Sequence, residues 1–126
     1  AKTIGLLHDV ARFEQYMRYR TFNDRLSFDH GAFGVDLLKC MEWFMNLEPP
    51  TQEIIERAIF NHNKAKISQR LEGNQLLQTR LIRDADKLDI LHMTCKRLKS
   101  RPLFSSNAVP NSCLDVLSTP YFSDSE

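Results

Sequence analysis

The chain has no dominant charge. Its 17 basic and 16 acidic residues leave a net charge of +1, so no global field draws it toward nucleic acid or an anionic membrane, and any anionic ligand must be held locally. Cysteine is scarce: Cys40, Cys95 and Cys113 are odd in number and show no CxxC spacing. That excludes a disulfide framework or a zinc ribbon and points to a reducing cytoplasm. No apolar run approaches the roughly 18 residues of a membrane span, and no basic segment with an apolar core opens the chain, so neither a transmembrane helix nor a secretory leader is expected. Internal repeats and long low-complexity runs are missing as well. What is present, 126 residues of which 42% are hydrophobic, suits one domain with a modest core.

No alternating strand pattern precedes residue 100, so the expected fold class is all-α. Ile4, Leu7 and Ala11 predict a helix from Ala1 to about Phe13, already under way at its first residue. Residues 14–29, dense in aromatic, polar and basic side chains, read as a long functional loop. Asp29 is placed to cap a second helix from His30 to about Asn46, with Phe33, Leu37, Met41 and Phe44 inward. Pro49 and Pro50 end a connection, Thr51 caps a third helix with Ile55 and Ile59 inward, and residues 64–74 form a polar connection. A fourth helix runs from about Gln75 to Lys99 with Leu77, Leu81, Ala85, Leu88, His92 and Cys95 on its inner stripe. Trp43 is assigned to core or helix contact, and His92 to packing or to supporting a ligand from behind. Residues 100–126, rich in Ser, Pro and Asn with an apolar cluster at Leu114–Leu117, read as an irregular extension of a helical domain spanning 1–99.

Four histidines and a group of aspartates carry the chemistry. His8 and Asp9 are adjacent on a helix, about 100° apart, close enough for both to reach one ion. Taken alone, the dipeptide reads as a boundary pair of an ordinary helix. Its flanks Leu6, Leu7 and Val10 place at least one of the two near the core, where an unpaired polar group costs on the order of 1–3 kcal/mol and ligation removes the cost. His62 lies three residues after Ile59 on the inward stripe, as a ligand or as a hydrogen-bonded core histidine. His30 opens a helix beside Gly31 and Gly34, where the helix dipole favours a neutral imidazole and close packing is permitted. Asp86, four residues after Ile82 and four before Ile90, is the ligand candidate of the 83–89 segment, whereas Asp84 pairs with Lys87 at the surface. Imidazole nitrogens and carboxylate oxygens in one cluster are the usual ligands of a divalent transition metal. A helical interaction domain with coincidental histidines is the competing account.

Leu6-Leu-His-Asp-Val-Ala-Arg12 and Asp84-Ala-Asp-Lys-Leu-Asp89 resemble the central and closing motifs of the HD-domain metal-dependent phosphohydrolases, over roughly Thr3 to Leu91. The resemblance implies a compact helical bundle in which His8, Asp9 and Asp86 hold a principal metal. Asp9 would bridge to a second held by His30 and His62, which resemble the added histidines of two-metal subgroups. The family's first histidine lies on a helix upstream of His-Asp, so that first helix is expected to be missing from this chain, which begins seven residues before His8.

The resemblance further implies hydrolysis of a phosphoester of a nucleotide or another small phosphorylated molecule by metal-activated water, with Asp9 and Arg12 in catalytic roles. One or two divalent ions are expected, from Mn, Fe, Co, Ni, Zn or Mg. Arg12, Arg18, Arg20, Lys64 and Lys87 are the candidates to clamp phosphate oxygens, each equally readable as ordinary surface charge. The alternative is a catalytically incomplete module that binds a nucleotide or metal for regulation. No nucleic-acid or membrane partner is indicated, and self-association is left open.

Overall fold

The computed structural model describes residues 1–67 and 70–99. They are all-α: α1 (Lys2–Leu7), α2 (Ala11–Tyr19), a single 3₁₀ turn (Asp24–Leu26), α3 (His30–Lys39), α4 (Glu42–Met45), α5 (Pro49–Asn61) and α6 (Gly73–Lys99). The extension expected over 100–126, with Cys113 and the Leu114–Leu117 cluster, lies outside the described residues. The chain divides into two units, Ala1–Leu88 and Asp89–Glu126. Everything about the core and the site concerns the first; in the second, the described end of α6 exposes Ile90, Leu91, Met93 and Leu98. No helix among the described residues is long and apolar enough to cross a membrane.

The expected first helix is two helices. Gly5 O, the carbonyl that an uninterrupted helix would offer to the Asp9 amide, accepts His8 Nδ1 at 2.9 Å, and the chain turns through His8–Val10 before α2 begins. Nor is the stretch from Glu14 all loop, since α2 continues to Tyr19. Its inward positions are Ala11 and Gln15, one turn apart and both fully buried, a small residue and a polar one that leave no apolar periodicity to read. α2 ends at Arg20, the one non-glycine with positive φ (54°) among the described residues, with its guanidinium 5.6 Å over the Tyr16 ring.

Asp29 caps α3 as expected, its side chain accepting from Gly31 N at 3.0 Å and Ala32 N at 3.1 Å. The helix stops at Lys39 rather than near Asn46, and the short α4 carries Phe44 into the core. The inner stripe of α3 is Gly31, Gly34, Val35 and Leu38, offset from the expected Phe33 and Leu37 because two glycines hold positions that a hydrophobic pattern leaves unmarked. Pro49 and Pro50 do not end a connection; they form the first turn of α5 after Glu48, where a missing N–H costs nothing. On α6 the face turned inward holds Thr79, Ile82, Arg83 and Asp86, while Leu77, Leu81, Ala85, Leu88, His92 and Cys95 are exposed. Trp43 is also exposed, edge-on to Phe44. The core gathers Ile4, Val35, Leu38, Phe44, Ile55, Ala58, Ile59 and Ile82.

α3 packs most extensively on α5, and Gly31 is where they come closest. A Cβ there would lie 2.5 Å from Asn63 Oδ1 and 3.1 Å from the Ile59 carbonyl, whereas one at Gly34 would stand 3.4 Å from Ile59 Cγ2. Gly31→Ala is therefore expected to cost about 1–3 kcal/mol by overpacking. Gly34→Ala should stay within about 1 kcal/mol of the wild type, since mild crowding is offset by helix propensity. Urea denaturation of the two variants distinguishes them.

Candidate metal centre

Three helical segments deliver three histidines whose Nδ1 atoms are all committed. His8 Nδ1 meets Gly5 O at 2.9 Å, His62 Nδ1 meets Ile59 O at 2.6 Å and His30 Nδ1 meets Asp24 Oδ2 at 2.6 Å. Carbonyl and carboxylate oxygens only accept, so each ring when neutral carries its proton on Nδ1 and presents an Nε2 lone pair. Burial works to raise the Asp24 carboxyl, but hydrogen bonds from His30 and Gln15, and the charges of His30 and Arg12, hold it well below the usual carboxylate range.

The three lone pairs converge on Asp9. His30 Nε2 lies 3.4 Å and His62 Nε2 3.5 Å from Asp9 Oδ1. On the other oxygen, His8 Nε2 lies 3.7 Å from Asp9 Oδ2 and 3.8 Å from Asp86 Oδ1. Two potential ligand groups result, Asp9–His30–His62 and His8–Asp9–Asp86, in each of which one ligand atom per residue lies within 4.8 Å of the others. The first is deep, with the His30 and His62 side chains 4% and 1% exposed; in the second, His8 and Asp86 are partly exposed and Asp9 is 45% exposed.

His30 Nε2 and His62 Nε2 stand only 3.0 Å apart. With both Nδ1 atoms donating, that approach sets lone pair against lone pair unless a proton or a cation lies between them. Burial first, and then the charges of Arg12 and His62, push the His30 pKa down despite the bond that His30 donates to Asp24, which disfavours a second proton on the ring. A divalent cation satisfies both nitrogens and the Asp9 oxygen together, so the donor set fits one. At His8 the acceptor carboxylate of Asp86 outweighs burial and raises the pKa. Burial alone would raise Asp9, but His62 beside it and the charges of Arg12, His8 and His30 bring it to about 2.

Around the cluster stands a shell that sequence reasoning largely missed. Arg12 Nε lies 3.5 Å from Asp9 Oδ1, and its Nη1 donates to Asp24 Oδ1 (3.0 Å), Gln15 Oε1 (2.8 Å) and Phe22 O (2.6 Å). Gln15 Nε2 donates to Asp24 Oδ1 (2.9 Å), Ser27 Oγ (2.8 Å) and Phe28 O (3.2 Å), pinning the 22–28 segment over α2. Asn63 Nδ2 bridges Asp24 Oδ2 and Asp29 Oδ1 at 3.1 and 2.8 Å. Arg83 spans the end of α5, donating to the carbonyls of Asn61 (2.7 Å), Lys64 (2.5 Å) and Ala65 (3.2 Å), and so holds the turn that carries His62. Asp24 sits in a segment with no helical period, and Gln15 and Asn63 are amides that no ligand pattern singles out. The one available signal for Asn63 was its place beside His62.

The remaining basic candidates are placed differently. Lys64 pairs with Asp29 and lies 4.9 Å over the Phe60 ring; burial lowers its pKa. Arg18 pairs with Glu14 one turn back, and Arg20 rests on Tyr16, so both make their contacts along α2 rather than with the cluster. Lys87 is exposed on α6.

Two outcomes follow for the metal-free protein. An aspartate held at about 2 when folded, against about 3.9 unfolded, contributes stability that is complete above pH of about 4 and is lost as the pH falls through its folded value. Asp9→Asn should therefore lose less stability than the wild type between about pH 4 and pH 2, read by thermal unfolding in chelator. Arg83→Met leaves three carbonyls without their guanidinium and should cost about 1–3 kcal/mol in urea denaturation.

A family model described as HD domain matches residues 1–91, the span that holds His8, Asp9, His30, His62 and Asp86. No curated protein and no solved structure matches the chain. The family match covers well over half of the 126 residues, in agreement with the resemblance carried by Leu6–Arg12 and Asp84–Asp89, and the chain belongs to the HD domain family.

Proposed function

We propose that this protein is a metal-dependent phosphohydrolase that cleaves a phosphoester of a nucleotide or another small phosphorylated molecule. One observation carries the reading: three imidazole lone pairs, each fixed by an Nδ1 hydrogen bond, converge on a carboxylate that faces two clusters. His8, Asp9 and Asp86 would hold one cation, and His30 and His62 with Asp9 a second. A bound divalent cation supplies a Lewis acid that brings the pKa of water toward neutrality and offsets charge on phosphoryl oxygens.

The chain's own residues do the rest. Asp9 keeps its charge down to a pH of about 2, so it is an anionic bridge at any physiological pH. Arg12 holds Asp9 from one side and Asp24 from the other, fixing the bridging carboxylate while adding positive charge beside the place a phosphate would take. Buried His30 and His62 exclude water from the deeper cluster; the half-exposed Asp9 and His8 leave the shallower one open to a ligand. Lys64, two residues after His62 and paired with Asp29, is the second cation proposed to serve the phosphate. Cys40 and Cys95 are free and exposed, which suits the reducing cytoplasm proposed for the protein.

Elemental analysis of protein incubated with manganese or nickel tests the reading. The wild type is expected to carry near-stoichiometric metal, Asp86→Ala to lose the shallow position alone, and Asp9→Ala to lose both. A screen with p-nitrophenyl phosphate and nucleotides should show turnover that falls to background in Asp9→Ala and after chelation. A wild type that takes up no metal sinks the proposal. Metal without turnover of any phosphoester replaces it with the regulatory module.

A further inference from the structure

Asp24 belongs to neither ligand group, yet it is the most heavily hydrogen-bonded side chain near them. Its Oδ1 accepts from Arg12 Nη1 at 3.0 Å and Gln15 Nε2 at 2.9 Å; its Oδ2 accepts from His30 Nδ1 at 2.6 Å, Asn63 Nδ2 at 3.1 Å and, at 3.4 Å, the His30 amide. Every neighbour faces it as a donor, and they differ in whether they can stop donating. A guanidinium has no acceptor. Gln15 cannot turn its amide, because its Oε1 already accepts from Arg12 at 2.8 Å and its Nε2 also serves the Phe28 carbonyl. Asn63 is tied by the same nitrogen to Asp29 Oδ1. The His30 imidazole alone can reverse its role, by carrying its proton on Nε2 instead of Nδ1.

We propose that Asp24 is the positioning residue that selects the tautomer of His30: an acceptor on both oxygens, ringed by donors, it holds the ring proton on Nδ1 and keeps the Nε2 lone pair turned to Asp9 and His62. The consequence for cation binding rests on the metal reading above; the tautomer does not. Replacing the carboxylate by an amide of the same shape puts an NH2 group on one side. Both donors at the Oδ1 position, Arg12 and Gln15, are fixed; on the Oδ2 side Asn63 Nδ2 and the His30 amide at 3.4 Å also keep donating, but the nearest group, His30 Nδ1 at 2.6 Å, can turn acceptor, so the NH2 falls there and faces it. The proton then moves to Nε2, where His62 Nε2 at 3.0 Å and Asp9 Oδ1 at 3.4 Å can accept it. Asp24→Asn thus removes a ligand and at the same time relieves the lone-pair clash of the metal-free cluster. A purely structural Asp24 would leave the tautomer as it was.

Nitrogen-15 NMR of the imidazole rings of the metal-free full chain, at a pH of about 8 where histidine is ordinarily neutral, reads the tautomer directly. Expected are an Nδ1–H signature for His30 in the wild type and Nε2–H in Asp24→Asn. An Nε2–H wild type, or a folded Asp24→Asn that keeps Nδ1–H, overturns the inference, and the wild-type spectrum decides it even where the variant does not fold. Calorimetric titration with zinc is the second arm: Asp24→Asn should bind roughly 10–100-fold more weakly at the Asp9–His30–His62 position. Equal affinities in the two proteins overturn the link between tautomer and ligation. A wild type that binds no zinc, manganese or nickel counts against the proposed function, while the spectra still decide the role of Asp24.

Discussion

Two imidazole nitrogens, His30 Nε2 and His62 Nε2, face each other at 3.0 Å in the interior, and the surrounding chain holds them there. The contact needs α3 and α5 close together, which the absent Cβ of Gly31 permits against the Ile59 carbonyl and Asn63. That same Ile59 carbonyl accepts the His62 Nδ1 proton, so one backbone oxygen sets both the helix separation and the orientation of a ring. Arg83 secures the far end of α5, and Asp29 starts α3 while tying back to Asn63. Packing and site chemistry are therefore one set of contacts here, and a change in either reaches the other through a single residue.

The polar interior this creates is large for a small domain. Gln15, His30, Asn61, His62 and Thr79 are buried alongside a hydrophobic core of modest size. Polar groups taken from water cost free energy unless bonded; Gln15, His30 and His62 are bonded across α2, the 22–28 segment, α3 and the end of α5, whereas Asn61 Oδ1 and Thr79 Oγ1 meet no hydrogen-bond partner among the described residues. The network accounts for a loop segment that is ordered by side-chain hydrogen bonds with little apolar burial of its own.

This explains which parts of the protein were legible from its residues. The all-α class, the Asp29 cap and the grouping of His8, Asp9, His30, His62 and Asp86 could be read, because ligand types are conspicuous by identity and the apolar content of α3 and α5 is high. The rest was hidden where the inward face is small or polar. Ala11 and Gln15 made α2 look like a loop, Gly31 and Gly34 shifted the apparent stripe of α3, and the inner face of α6 is Thr79, Ile82, Arg83 and Asp86 while its leucines are exposed. In each case the faces that serve the cluster carry the residues a hydrophobic pattern discounts. Asp24 was invisible for a related reason: its importance lies in the hydrogen-bonding roles of its neighbours, which come from three separate places in the chain, α2, His30 and Asn63.

Asp9 turns one oxygen to each of two neighbouring clusters. A carboxylate has a single delocalised negative charge, so density drawn toward one oxygen is withdrawn from the other. Under the proposed function, occupation of the two clusters would be antagonistic: each cation would draw on the charge the other needs, and the shallow position would lean more on Asp86. A ligand that brings its own negative charge would restore what the second position lacks, making the incoming anion part of the coordination balance as well as the group to be bound.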